Sequence, residues 1–138
     1  MYLRQYKRAS VCPLLSITVY FCRNRDLQLL SRLDRRVESI VLQNCMLLSD
    51  IGVNHLTRPG FLSLHSLAIN DCHNLSESGY MDIASLVNIT SLVLAESKDV
   101  QRRGHTITDG VFQCLANALP LTVLYFELVE LKFVCNFI

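Results

Sequence analysis

A pattern of apolar residues recurs along this chain of 138 residues and limits the folds that are open to it. The pattern is L-x-x-L-x-L, followed three residues later by cysteine and then by Ser-Asp or Ser-Glu, one further residue and a glycine. It is nearly complete in residues 37–56 and again in 64–83, and weaker copies begin at Leu14, Ile89 and Leu121. A pattern with a period of this length is typical of proteins that stack similar units side by side.

The spacing of the copies predicts the architecture. The end of each L-x-x-L-x-L run alternates apolar and polar residues, as a strand with one buried face requires. Strands this short, separated by helical segments, pair in parallel. We therefore expect an α/β fold of stacked strand–helix units. The equivalent strand residues, separated by 23, 27, 25 and 32 positions, are Ile17, Ile40, Leu67, Leu92 and Leu124.

The segment after each strand changes to helical spacing. Ser49, Ser76 and Thr108 are predicted helix N-caps, and an acidic residue follows each of them, which is favourable at the positive end of the helix dipole. Pro59-Gly60 and Pro120 are predicted to end helices. The two predicted apolar stripes, with members at i, i+3, i+4 and i+7, are Tyr80, Ile83, Ala84 and Val87, and Phe112, Leu115, Ala116 and Leu119.

The combined motif L-x-x-L-x-L-x-x-C-x-x-[IL]-[ST]-[DE]-x-G resembles the cysteine-containing class of leucine-rich repeats. The best copies are LQNCMLLSDIGVNHL and INDCHNLSESGYMDI. This class is best known from F-box/leucine-rich-repeat proteins, the substrate receptors of Skp–cullin–F-box ubiquitin ligases, and it also occurs in relatives without an F-box. The third copy departs from the motif, because Ser97 replaces the cysteine and Gly110 stands one place early.

The resemblance covers about residues 14–126. It implies a leucine-rich-repeat solenoid of four to five repeats, with short parallel strands on the concave face and helices on the convex face. We expect a basic N-terminal segment at 1–13, the solenoid at 14–126, and an atypical apolar C-terminal end at 127–138 that resembles a truncated repeat.

Three of the six cysteines, Cys22, Cys45 and Cys72, stand at one offset from their strands. There is no C-x-x-C pair and no Cys/His spacing that suits zinc. The resemblance implies that the three point inward, where a thiol behaves as a small apolar side chain. We therefore expect no metal or cofactor, and a reducing compartment, cytoplasmic or nuclear. The alternative is a ligand or nucleophile, as Asp71-Cys72-His73 suggests, but sequence neighbours rarely face each other, so no enzyme is predicted.

Charge gives a weaker indication. The net charge of +1 offers no argument for a nucleic-acid partner or an anionic membrane, and the apolar stretch at 9–22 is shorter than the roughly 20 residues that span a bilayer. Residues 1–36, however, carry eight Lys/Arg and two Asp. Such asymmetry indicates either a basic contact face or a solvated end of a scaffold.

Side chains that alternate with the buried strand residues are the candidates for contact with a protein partner. By resemblance they line the concave face. They are mostly small and uncharged, and they include two tyrosines, which suit interfaces. The alternative is a sheet face that needs no charge. The predicted contact residues are Tyr20, Ser39, Val41, Gln43, Ser66, Ala68, Asn70, Ser91, Val93 and Tyr125, with Ser16, Thr18, Ala95, Val123 and Glu127 in the same rows.

A second candidate contact site is the insertion between the third strand and its helix. Its residues Lys98, Arg102, Arg103 and His105 could meet an acidic or phosphorylated partner. The alternative is a mobile, solvated loop.

These patterns together predict a non-enzymatic scaffold that binds a protein target. The family resemblance implies substrate recognition within a Skp–cullin–F-box-type ubiquitin ligase, with ligase subunits as further partners. Two alternatives stay open. One is a leucine-rich-repeat adaptor or inhibitor without a ubiquitin link. The other is an extracellular receptor fragment, which would carry glycan at Asn74 or Asn88.

Overall fold

The computed structural model describes residues 2–7, 15–33, 37–58, 61–97, 107–121, 123–128 and 131–136. Strands and helices alternate through most of this length, as the spacing of the apolar residues predicts. The elements are β1 (Tyr2–Lys7), β2 (Leu15–Tyr20), α1 (Asn24–Leu33), β3 (Val37–Gln43), α2 (Asp50–Leu56), β4 (Ser66–Asn70), α3 (Glu77–Asp82) with a 3-10 turn (Ile83–Ser85), β5 (Ser91–Ala95), α4 (Asp109–Ala118), β6 (Val123–Leu128) and β7 (Leu131–Asn136).

The strands form one sheet in chain order, and β2 to β6 are parallel. The register pairs Ile17 with Ile40, Ile40 with Leu67, Leu67 with Leu92, and Leu92 with Leu124. The predicted α/β class and the alignment of the equivalent leucine and isoleucine residues are therefore confirmed. A five-stranded parallel sheet that alternates with helices is compatible with a leucine-rich-repeat-like solenoid.

The two outer strands were not predicted. β1 lies within the predicted basic segment and pairs antiparallel with β2, while β7 lies within the predicted C-terminal end and pairs antiparallel with β6. Each outer strand satisfies the backbone hydrogen-bonding groups along one side of the parallel sheet, which would otherwise be an open edge.

One layer of apolar side chains lies between the sheet and the helices. Alternate strand residues supply one side of it, and the inner residues of the helices supply the other, so each unit completes the core of its neighbours. The core side chains from the strands are Ile17, Val19, Ile40, Leu42, Leu67, Ile69, Leu92, Leu94 and Leu124, and those from the helices and their ends include Leu27, Leu30, Val53, Leu56, Tyr80, Ile83, Val111, Leu115 and Leu119.

The predicted stripe of the third helix is wrong at its last member. Tyr80 and Ile83 are buried, but Val87 is 66% exposed. The α-helix ends at Asp82 and a 3-10 turn follows. Because a 3-10 turn has about three residues per turn rather than 3.6, later residues rotate away from the stripe. The predicted stripe of α4 packs against the core, with Leu115 and Leu119 buried.

Ser49, Ser76 and Thr108 occupy the predicted N-cap positions, two of them with a side-chain capping bond, and they also join successive units. Ser76 Oγ accepts from Gly79 N, and Thr108 Oγ1 accepts from Val111 N, both at 3.3 Å. The Ser49 side chain makes no such capping bond; instead its Oγ accepts from Asn24 Nδ2 at 2.8 Å. Val111 holds the position of Gly79, which explains why Gly110 appears displaced in the sequence.

The first residue of each helix reaches the N-cap of the next helix. Asn24 Oδ1 accepts from Ser49 N, and Asp50 Oδ1 accepts from Ser76 N, each at 2.9 Å. Thr108 Oγ1 donates to Glu77 Oε1 at 2.9 Å. The acids of the Ser-Asp and Ser-Glu pairs were predicted only to favour the helix dipole, whereas the structure shows that they link neighbouring units.

His55 in α2 is a buried titratable group that belongs to the fold. It is 8% exposed, and within the described part of the chain its Nδ1 has no hydrogen-bond partner. Burial, with a smaller effect from the charge of Arg58, lowers the pKa of His55 below its ordinary value of 6.5. Protonation is therefore easier in the unfolded chain than in the folded one.

We expect stability to fall on acidification because of this histidine. Since its folded pKa is lowered, the unfolded state binds the proton first, and stability decreases as the pH falls below about 6.5. Urea unfolding between about pH 5 and 8 measures this slope. His55→Leu should reduce the slope. Leucine already stands at the equivalent position of α1, as Leu29. An unchanged slope in that variant would assign the loss to other groups.

Candidate protein-binding face

The sheet has one face toward the helices and one face away from them, and the second face carries the predicted contact residues. We call it the open face. The register places its residues in three rows that cross the parallel strands. The rows are Ser16, Ser39, Ser66, Ser91 and Val123; Thr18, Val41, Ala68, Val93 and Tyr125; and Tyr20, Gln43, Asn70 and Ala95, with Glu127 next in register on β6.

Every open-face side chain that the structure describes, from Ser16 to Tyr125, is half-buried. Half-burial is the expected state of side chains that touch their neighbours across the strands and face solvent above. The rows differ in chemistry: one is dominated by serine hydroxyls, the middle row is mainly aliphatic, and the third contains a tyrosine and two amides. None of the described side chains in these rows is charged.

The amide row is ordered by a direct contact between strands. Asn70 Nδ2 donates to Gln43 Oε1 at 3.0 Å, so one amide fixes the orientation of the next. This bond uses one donor of Asn70 and one acceptor of Gln43, so the side-chain oxygen of Asn70 and the side-chain amino group of Gln43 keep their hydrogen-bonding capacity. Amide groups held in this way can form hydrogen bonds with a polypeptide backbone.

The size of the open face sets a limit on what it can bind alone. Neighbouring strands lie about 4.8 Å apart and alternate residues about 6.6 Å apart, so five strands and three rows extend about 19 Å by about 13 Å. A specific protein interface covers about 800 Å² per partner. The part of the open face on the five parallel strands is smaller than that, and a bound protein would also contact the surface around it.

The insertion residues Lys98, Arg102, Arg103 and His105 lie outside the described residues. Their proposed contact with an acidic or phosphorylated partner therefore stays a prediction.

The three stacked thiols lie in the core. Cys22, Cys45 and Cys72 are buried, and the Cys22 backbone N–H donates to Cys45 Sγ at 3.3 Å. Hydrogen bonding to Cys45, together with burial, raises the pKa of the Cys22 and Cys72 thiols. Hydrogen bonds from those two thiols lower the pKa of Cys45, but its burial keeps reagents away from it. The predicted role in packing fits these positions.

The structure gives Asp71 a structural role. Its backbone has φ 54°, and its Oδ1 accepts from Ser97 N at 2.6 Å. Because Cys72 points into the core while Asp71 binds the turn after β5, the two side chains do not act together. The candidate Asp71-Cys72-His73 site is therefore not assembled.

Several exposed apolar side chains were not singled out from the sequence. Phe21, Met46 and Leu47 follow the carboxyl ends of β2 and β3 and are 53–62% exposed. The signal that could have identified them is a comparison of the copies, because Met46 and Leu47 stand where the next copy has His73 and Asn74.

No protein-family model matches the chain, and no curated protein is similar to it in sequence. A solved structure with a similar fold is a chain of the Rad7 and Elc1 complex in yeast, with a TM-score of 0.58 and 21% identity. The match covers 75% of this chain and 25% of the yeast chain, so this chain spans about a quarter of that protein's length. This likeness supports the fold.

None of the helices in the described residues combines the length and the apolar character needed to cross a bilayer.

Proposed function

We propose that this protein is a non-enzymatic recognition scaffold that binds a protein target on the open face of its sheet. The observation that carries the proposal is the register of half-buried, uncharged side chains on neighbouring parallel strands. The part of this face from Ser16 to Tyr125 loses little solvation energy on contact, because none of its described side chains carries a charge that must be removed from water. Small side chains also allow another backbone to approach closely.

The finer proposal is a leucine-rich-repeat solenoid of four to five repeats that selects substrates for a Skp–cullin–F-box-type ubiquitin ligase. It rests on the cysteine-containing repeat motif that the sequence resembles. The similar yeast structure is a complex of two proteins, Rad7 and Elc1, which agrees with a role in protein binding. A cytoplasmic or nuclear site is part of this proposal.

The test places a charge at the centre of the open face. Ala68 lies between Val41 and Val93 in the middle row, so Ala68→Arg puts an uncompensated charge against any bound partner. Asn117→Arg, on the exposed part of α4, is the matched control with the same added charge. Quantitative affinity capture from cells compares both variants with the unchanged chain, and thermal unfolding confirms that each variant folds.

We expect specific partners to fall by about tenfold or more with Ala68→Arg and to persist with Asn117→Arg. Capture of ligase subunits and ubiquitylated proteins in the same set would support the finer proposal. Partners without them would instead favour an adaptor or inhibitor. If both variants recover the partners equally, and Ser66→Arg also leaves the recovery unchanged, binding at the open face is contradicted.

A further inference from the structure

An exposed apolar group lies beside the open face, at the carboxyl ends of β2 and β3. It consists of Phe21, Met46 and Leu47, which we call the edge patch. The two loops are adjacent: Phe21 N donates to Gln43 O at 3.2 Å, and the backbones of Arg23 and Leu47 form a parallel bridge. Large apolar side chains that cluster in solvent at one place mark contact sites more often than scattered ones do.

The next unit shows that the fold does not require apolar residues here. In the aligned copies, Met46 corresponds to His73 and Leu47 to Asn74, although the turn has the same backbone course. Backbone hydrogen bonds repeat from turn to turn, from Phe21 to Gln43, from Asn44 to Asn70 and from Asp71 to Ala95. The turn therefore does not need apolar side chains at these positions to adopt its structure.

Phe21 provides a second, independent observation. It adopts the left-handed conformation with φ 55°, as Asn44 and Asp71 do at the same place after β3 and β4. Asparagine and aspartate tolerate that conformation, whereas a bulky side chain adopts it at a cost. A phenylalanine in this conformation that is 61% exposed contributes little to the core, while its backbone conformation costs energy. Strain of this kind, kept without a structural gain, indicates a binding role.

The charge around the edge patch indicates what it binds. Arg23 and Arg25 are exposed on the segment that follows Phe21. Asp26, next to Arg25 in the chain, accepts from the backbone N–H of Arg23 at 2.9 Å, and so it caps the start of α1. A partner here would place acidic groups beside its own apolar side chains.

We propose that the edge patch binds an acidic segment of a protein partner that carries large apolar side chains between its carboxylates. The apolar side chains would cover Phe21, Met46 and Leu47, while the carboxylates would pair with Arg23 and Arg25 in charge-assisted hydrogen bonds. The patch also extends the contact area of the open face, since Phe21 directly follows Tyr20. The proposal does not depend on the open face, because its residues and its test are separate.

The probe is a labelled short peptide in which glutamate pairs alternate with leucine–phenylalanine pairs, and binding is followed by fluorescence anisotropy. Two control peptides replace either the glutamates by lysine or the apolar residues by serine. The test variant carries Phe21→Asn, Met46→His and Leu47→Asn, so each position receives a residue that the chain already uses at equivalent turns. The control variant carries Leu62→Asn and Val87→Ser, which change exposed apolar residues that precede β4 and β5.

We expect saturable binding of the acidic apolar peptide in the micromolar range, weaker at high salt because the charges are exposed. The test variant should bind at least about tenfold more weakly, as should Arg23→Glu with Arg25→Glu, while the control variant should bind normally. Since asparagine accepts the left-handed backbone, the test variant should melt no earlier than the unchanged chain.

Several results would overturn the proposal. They are no saturable binding, equal binding of either control peptide, or unchanged binding by a folded test variant. Self-association that the same substitutions abolish, seen by sedimentation, would identify a second copy of the chain as the occupant instead. Loss of peptide binding in Ala68→Arg with retention in the test variant would move the site to the open face.

Discussion

Leu67→Ala is expected to lower the free energy of unfolding by about 3–5 kcal/mol. Leu67 is fully buried on β4, between Ile40 of β3 and Leu92 of β5. Removing its side chain leaves a cavity that two flanking strands hold open, because their spacing is set by the backbone ladder. A domain of this size has a total stability of about 5–15 kcal/mol, so the loss is a large fraction of it.

Urea unfolding followed by circular dichroism measures the change. Val93→Ala, on the open face of the neighbouring strand, is the control and should cost less than about 1 kcal/mol, because Val93 is only half-buried and its truncation leaves no enclosed cavity. Where Leu67→Ala is too unstable to measure, Ile40→Val should still cost about 1 kcal/mol. Equal effects at Leu67 and Val93 would show that the sheet does not bury the face described.

Gly79→Ala is the second large effect, and its sign is opposite to the usual one for a helical glycine. Alanine normally stabilises a helix by about 1 kcal/mol relative to glycine. A Cβ at Gly79, however, would clash with Asp50 Oδ1 and lie 2.7 Å from Asp50 Cγ. Asp50 must then move, and its two hydrogen bonds to Ser76 are lost. We expect a net loss of about 2 kcal/mol, as overpacking outweighs helix propensity.

Gly110→Ala provides the matched comparison in α4. A Cβ there would meet its nearest atom, Glu77 Oε1, at 3.5 Å, an ordinary van der Waals distance. Helix propensity then decides, and stability should rise by about 0.5–1 kcal/mol. Thermal unfolding of both variants checks the pair of signs. In an Asp50→Ala background the Gly79→Ala penalty should shrink, because the clashing atoms are gone. A penalty of the same size in that background would show that a contact other than Asp50 causes it.

The spacing of apolar residues was sufficient to predict the parallel strands and their register. Moving one strand by a single residue would turn Leu67 and Ile69 to solvent and Ala68 into the core, so burial alone specifies the pairing. The open-face residues follow from the same alternation, since Ser66, Ala68 and Asn70 occupy the remaining positions of a strand with period two. Their positions were therefore predicted correctly, while the partner that they bind is a proposal.

Other features depend on contacts between units, which local patterns do not contain. β1 and β7 are held by pairing with β2 and β6, and their own residues carry no repeat motif. The exposure of Val87 depends on a 3-10 turn that replaces the last turn of helix. The left-handed conformation of Phe21, which Asn44 and Asp71 share, is known only from the φ angles in the structure.

The amino-acid sequence by itself determined the period, the faces of the strands and the helix N-caps, because each depends on residues close together in the chain. Only the tertiary structure decided that Asn24, Asp50 and Glu77 reach the caps of the following helices, 25–31 residues away. It also decided that Phe21 and Leu47 lie together at the sheet edge. The physical reason is the stacking distance: parallel strands about 4.8 Å apart bring residues one period away into contact.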